Sequence, residues 1–207
     1  MPLKLLNISL LIAAIIGGFY TYRANRQYRQ LKAEVNRLSV EVGDLDVADP
    51  SKAYVEALPT GEPLHFAWRV YLPANFQACW KHTSGSSWST NSEPSEFLSR
   101  VRIIEDDKGQ LLVYHKEHGG SGKCNLGSTK LAKLLRGRWN EIHVEQLGSD
   151  GIAVVDPNDI SVLLRLTLSD ELKIEAQEKL NKYENKQYQK ELFGIRFGSR
   201  DAFAADQ

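Results

Sequence analysis

The densest collection of groups able to do chemistry is the run His115-Lys116-Glu117-His118-Gly119-Gly120-Ser121-Gly122-Lys123-Cys124. Its glycines and its Gly-Lys pair suggest a phosphate cradle. A Walker A loop needs a glycine, four residues, then Gly-Lys-Ser/Thr. Glu117 stands at the first glycine position and Cys124 at the hydroxyl position. The glycine lets backbone amides wrap the phosphate and the hydroxyl holds the magnesium, so both substitutions remove function. A flexible hairpin loop is the expected form of this stretch.

Metal chemistry is no better supported by spacing. His115 and His118 are three apart, and on a strand they point to opposite faces, so one ion cannot take both. His65, His82 and His143 are scattered. A mixed zinc site would have to be assembled across strands from Cys79, Cys124 and two histidines. Solvated or hydrogen-bonded histidines are the expectation, with no metal and no cofactor. Cys79 and Cys124 can instead form a disulfide closing a loop of about 45 residues, worth about 3–4 kcal/mol, if the domain is exported; separate buried thiols are the alternative. No Cys-x-x-Cys pair occurs.

Nucleophilic catalysis has no local signature. Gly-x-Ser-x-Gly is missing, and no Ser/His/Asp set has a recognisable context. Asp106-Asp107 and Asp156-Pro157-Asn158-Asp159 read as turns; a calcium loop would need more oxygen ligands. The expected protein is therefore not an enzyme. Trp88 is the aromatic out of place: it lies in Thr83–Ser95, a loop rich in Ser, Thr and Asn. An exposed indole among hydroxyls offers a stacking platform for a glycan or peptide, and Trp88 is the candidate ligand contact. The opposing reading folds it down to pin its own loop. Trp68, Trp80 and Trp139 are assigned to the core.

What must position these groups begins with an uncharged stretch, Leu5–Tyr20, which extends to a 20-residue segment at Leu3–Tyr22. A helix of that length spans about 30 Å, the thickness of a bilayer core. Lys4 can snorkel to the headgroups, and Tyr20 and Tyr22 fall where interfacial aromatics belong. A cleaved signal peptide competes, but no Ala-x-Ala-like site follows the apolar run. The expectation is an uncleaved single-pass anchor contacting membrane lipid. Arg23, Arg26, Arg29, Lys32 and Arg37 follow it, which by the positive-inside rule favours a cytoplasmic domain. A short N-terminal tail with one long C-terminal domain is instead the plan of exported signal-anchor proteins, and two cysteines with many β-type segments agree with that. The balance falls on the extracytoplasmic side.

A heptad seam follows. Tyr28, Leu31, Val35, Leu38, Val42 and Leu45 are spaced alternately by three and four, placing a at 28, 35 and 42. The same register runs back through Thr21, Gly17 and Ala14 to Asn7. Small residues allow close helix approach in lipid, and Asn7 can hydrogen-bond across a pair. Val at a with Leu at d suits a parallel dimer. Glu41 would face Asp46 of a second copy, a like-charge contact, so a heteromeric partner with basic flanks stays open. A lone amphipathic stalk is the other alternative. Gly43 offers a helix stop and Asp49-Pro50 its latest end. Over residues 1–45 this layout resembles that of the small single-span coiled-coil proteins of the bacterial cell-division machinery. The resemblance is architectural, and the larger domain that follows departs from it.

Net charge is zero and the basic excess is confined to residues 23–37, which argues against nucleic acid and for anionic headgroups. From about residue 61 to 200 the pattern is that of one domain with a full core. Leu64, Phe66, Trp68, Val70 and Leu72 alternate with polar residues, and Ile160–Leu168 does likewise, predicting half-buried strands. Phe97–Glu105 and Gln110–His118 flank Asp106–Gly109 as a hairpin. Phe76–His82 and Trp139–Leu147 are further strands, Leu131–Arg136 a helical turn, and Ile195–Phe197 a short returning strand. A helix is expected from about 175 to 192, with Ser169 or Asp170 as a possible earlier N-cap. The fold class is α+β, mainly β: a transmembrane helix (1–22) continuing into a coiled-coil stalk (23–46), a linker (47–60), then an antiparallel β-sandwich or jelly-roll-like domain (61–200) with a minor C-terminal helix and a frayed tail (201–207).

Overall fold

The computed structural model describes residues 45–83 and 85–206. The anchor and all of the seam except Leu45 lie outside them. The described chain forms one compact unit that begins at Leu45. Among the described residues, no helix is long and apolar enough to cross a membrane.

The unit is mainly β, as two antiparallel sheets facing each other. The strands are β1 (Ala53–Leu58), β2 (His65–Leu72), β3 (Gln77–His82), β4 (Gly85–Thr90), β5 (Ser95–Glu105), β6 (Leu111–Glu117), β7 (Gly120–Gly127), β8 (Ile142–Gln146), β9 (Ala153–Val155), β10 (Ile160–Leu168) and β11 (Phe193–Ser199). One sheet has the order β7-β6-β5-β2-β1-β9, the other β4-β3-β11-β10-β8. The period-two residues drive this: Phe66, Trp68, Val70 and Leu72 are buried together, as are Val101, Ile103, Leu111 and Val113 from the neighbouring hairpin. Across from them, Trp80 of β3 meets Phe97 at 6.1 Å and Phe197 at 5.5 Å between ring centres, joining the two inner faces. The β5–β6 turn is set by Asp106, whose carboxylate accepts from the amides of Lys108 (2.9 Å) and Gln110 (2.8 Å), while Gly109 takes the left-handed conformation.

Four short helices complete the unit: α1 (Thr129–Leu135), α2 (Asp170–Lys179), α3 (Lys182–Tyr188) and α4 (Arg200–Ala205). The single helix expected from 175 to 192 is two. Leu180 turns inward and buried, and the Asn181 side chain then accepts from the Glu184 amide at 3.0 Å, starting a new helix. Ser169 caps α2, as its position predicts.

Other corrections follow from local packing. Residues 53–58, expected as linker, are strand β1, paired on both sides. The loop expected at 115–124 is the tight β6–β7 hairpin, and β7 pairs with β6 from Gly120 to Gly127 with a register shift at Leu126. The strand expected from Trp139 begins at Ile142, after a 3-10 turn over Trp139–Glu141. In β10 a register shift between Val162 and Leu164 buries both Leu163 and Leu164, which breaks the expected alternation. The returning strand at 195–197 is the seven-residue β11 at the centre of its sheet. The tail expected to fray is α4, capped by Ser199, with Phe203 buried.

Candidate functional site

The inner faces do not stay apolar to the end. On β3, Ala78, Trp80 and His82 are the inward, buried positions. On β6 the inward step runs Leu111, Val113, His115, Glu117. The apolar core therefore gives way, at the β3–β4 and β6–β7 corner, to two imidazoles and a carboxylate contributed by both sheets. His82 Nε2 lies 2.7 Å from Glu117 Oε1, and His115 Nδ1 lies 3.4 Å from the same oxygen. The two imidazole rings are 4.4 Å apart. Side chains of His82 and Glu117 are only 4% exposed.

Aromatic and hydroxyl side chains surround them. Phe193 packs 6.4 Å from the His82 ring. Ser87, on β4, donates its hydroxyl to Glu117 Oε2. Ser89 and His118 Nδ1 form a second hydroxyl–imidazole contact at 3.0 Å, with His118 beside Phe97. On β7, Gly122 is paired opposite His115, and a Cβ there would collide with the imidazole. Burial lowers the His115 pKa from its usual value and the nearby His82 adds to the lowering, while the charge and contact of Glu117 pull it upward.

Chemically, the set is carboxylate-centred. In a hydrolytic triad the imidazole stands between nucleophile and carboxylate. Here Ser87 touches the carboxylate, and Ser89 touches a different histidine, so the pieces are not in line. What the arrangement does offer is convergent lone pairs. Both ring nitrogens of His82, Nδ1 of His115 and Oε1 of Glu117 are buried without a hydrogen bond among the described residues.

The residues singled out from the sequence are placed elsewhere. Cys79 faces outward on β3 and Cys124 lies on β7 in the other sheet; both thiols are free, which is the separate-thiol alternative rather than the disulfide. Burial raises the Cys79 thiol above its usual value. Neither sulfur belongs to the group of ligand atoms at the corner. Trp88 is not in a loop but on edge strand β4, 66% exposed, with the Arg200 guanidinium 5.4 Å above its ring. His115 and His118 diverge, as their spacing predicts. The pair that converges is His115 and Glu117, two apart and therefore on one strand face. That His-x-Glu spacing was the legible signal. His82, in step with Ala78 and Trp80, was the second.

Comparison with family models, curated proteins and solved structures gives no match for this chain.

Proposed function

We propose that the chain is a single-pass membrane-anchored, non-enzymatic interaction protein that presents the β-sandwich on a short helical stalk. The observation that carries this is one of position. A 20-residue apolar segment and a heptad pattern lead up to Leu45, where the compact unit begins and where Leu45 itself is buried in that unit. The seam supplies the association face, as a homodimer or with a heteromeric coiled-coil partner. Tethering raises the local concentration of that partner enough to offset the weakness of three heptads.

The test is cysteine crosslinking in native membranes, with Val35→Cys or Leu38→Cys placed in a chain whose Cys79 and Cys124 are serine. The expected result is a carbonate-resistant membrane fraction containing a dimer or a discrete partner adduct. Extraction by carbonate, or no adduct at either position, removes the reading.

A second reading is favoured by one observation, the exposure of Trp88. Ser86, Trp88 and Thr90 share the outward face of β4, giving an apolar ring flanked by hydroxyls, the elements of a glycan contact. In that role the β-sandwich is a lectin-like or cell-wall-binding module. Glycan or peptidoglycan pulldown that Trp88→Ala leaves unchanged would discard it.

A further inference from the structure

We propose that His82, His115 and Glu117 form a binding site for one divalent transition-metal ion of the zinc class, held between the two sheets. The site is independent of the membrane reading and of Trp88.

Three facts carry it. Each residue offers one ligand atom, and these atoms lie within 4.8 Å of one another. The ligand atoms of His82 and Glu117 sit on side chains that are almost wholly inaccessible. And these atoms make no well-aligned hydrogen bond among the described residues, although buried polar groups are normally paired. An ion pair is the competing use of the same groups. It would require a His82 proton aimed at Glu117, yet Nε2 approaches Oε1 at 2.7 Å without making an aligned hydrogen bond. A second imidazole nitrogen converges on that same oxygen. Lone pairs meeting at one point are satisfied together by a cation.

The dimensions fit. Tetrahedral zinc with bonds of about 2.0–2.2 Å spaces its ligand atoms by about 3.3–3.5 Å. The His115–Glu117 separation of 3.4 Å already matches. The His82–Glu117 separation of 2.7 Å has to widen by about 0.6 Å, within reach of small side-chain rotations. Two imidazoles and one carboxylate suit zinc; calcium and magnesium prefer oxygen alone, and copper(I) prefers sulfur. Ser87 on Oε2 orients the carboxylate, the role that supporting groups play at metal sites. The missing side chain at Gly122 leaves room for the His115 ring. Three protein ligands leave a fourth position for water.

The experiment is Zn2+ binding to the purified full-length chain in detergent after chelator treatment, read by competition with a chromophoric chelator. Co2+ supplies an independent spectroscopic readout. One Zn2+ per chain is expected, with a rise in melting temperature, and Co2+ is expected to give the intense visible bands of a tetrahedral site. Glu117→Gln and His115→Gln should each weaken binding by more than the roughly 10–100-fold that loss of a supporting residue costs. His143→Gln, on exposed positions of β8, should bind as the parent does. If Glu117→Gln fails to fold, His115→Gln decides, since His115 is the least buried of the three. No saturable binding by the parent chain, or undiminished binding in His115→Gln, overturns the proposal.

Discussion

Gly122 matters for what it lacks. Its neighbour across the hairpin is His115, whose ring occupies the volume a Cβ would need. Gly122→Ala should therefore move the imidazole as well as overpack the corner, at a cost of about 1–3 kcal/mol. A lower urea midpoint at unchanged slope, together with weakened Zn2+ binding, is the expected pair of results. Tyr188 makes a different prediction. Its hydroxyl donates to the Leu126 carbonyl at 2.7 Å, and burial, with Glu184 adding, pushes its pKa up to about 12. The folded state holds the neutral phenol while the unfolded chain ionises near pH 10. Between about pH 10 and pH 12 the unfolded state therefore binds fewer protons, and stability falls as pH rises. A tyrosine titration followed by phenolate absorbance should show one late-ionising group whose ionisation coincides with loss of circular dichroism. The raised Cys79 thiol predicts that its alkylation at neutral pH is slow, measurable by mass spectrometry.

At the scale of the element, Ser169 and Ser199 open α2 and α4 by accepting from the amides of Leu172 and Ala202. Alanine at either position should cost about 1 kcal/mol by denaturant unfolding. These caps also mark what was legible in the sequence. β2 declared itself because Phe66, Trp68, Val70 and Leu72 alternate along it, and the β5–β6 hairpin because Asp106 and Gly109 specify its turn. β4 and β7 did not. Gly85–Thr90 and Gly120–Gly127 are dominated by Gly and Ser, and are strands because β3 and β6 template them, not because of an apolar alternation of their own. β1 was hidden behind the prolines on either side of it. α4 was hidden by its length, since six residues carry too little periodicity to stand out; only Ser199 and Phe203 betray it. The corner of His82, His115 and Glu117 was half legible: the i, i+2 pair could be read from β6, but its meeting with His82 depends on which strands face each other across the sandwich.

For the whole molecule, the two sheets exchange the chain repeatedly. β1 and β2 lie in one, β3 and β4 in the other, β5 to β7 in the first again. Each sheet is thus assembled from segments far apart in sequence; α1 packs against β6 and β7 and against α2, and α2 in turn packs against β10 and α3. Loss of a peripheral piece and loss of a central one should differ sharply. A chain ending at Ser199 loses α4 and the buried Phe203 but keeps every strand, and should remain folded with a lowered melting temperature. A chain ending at Leu192 loses β11, with Phe193, Ile195 and Phe197 from the core, and should be protease-sensitive throughout.

The position of β11 also sets a timetable. It is the last strand made, yet it sits in the middle of its sheet, between β3 and β10. During synthesis β3 and β4 emerge more than a hundred residues before the strand that completes their pairing. Until β11 has been made, β3 and β10 have no central neighbour, and the second sheet cannot close.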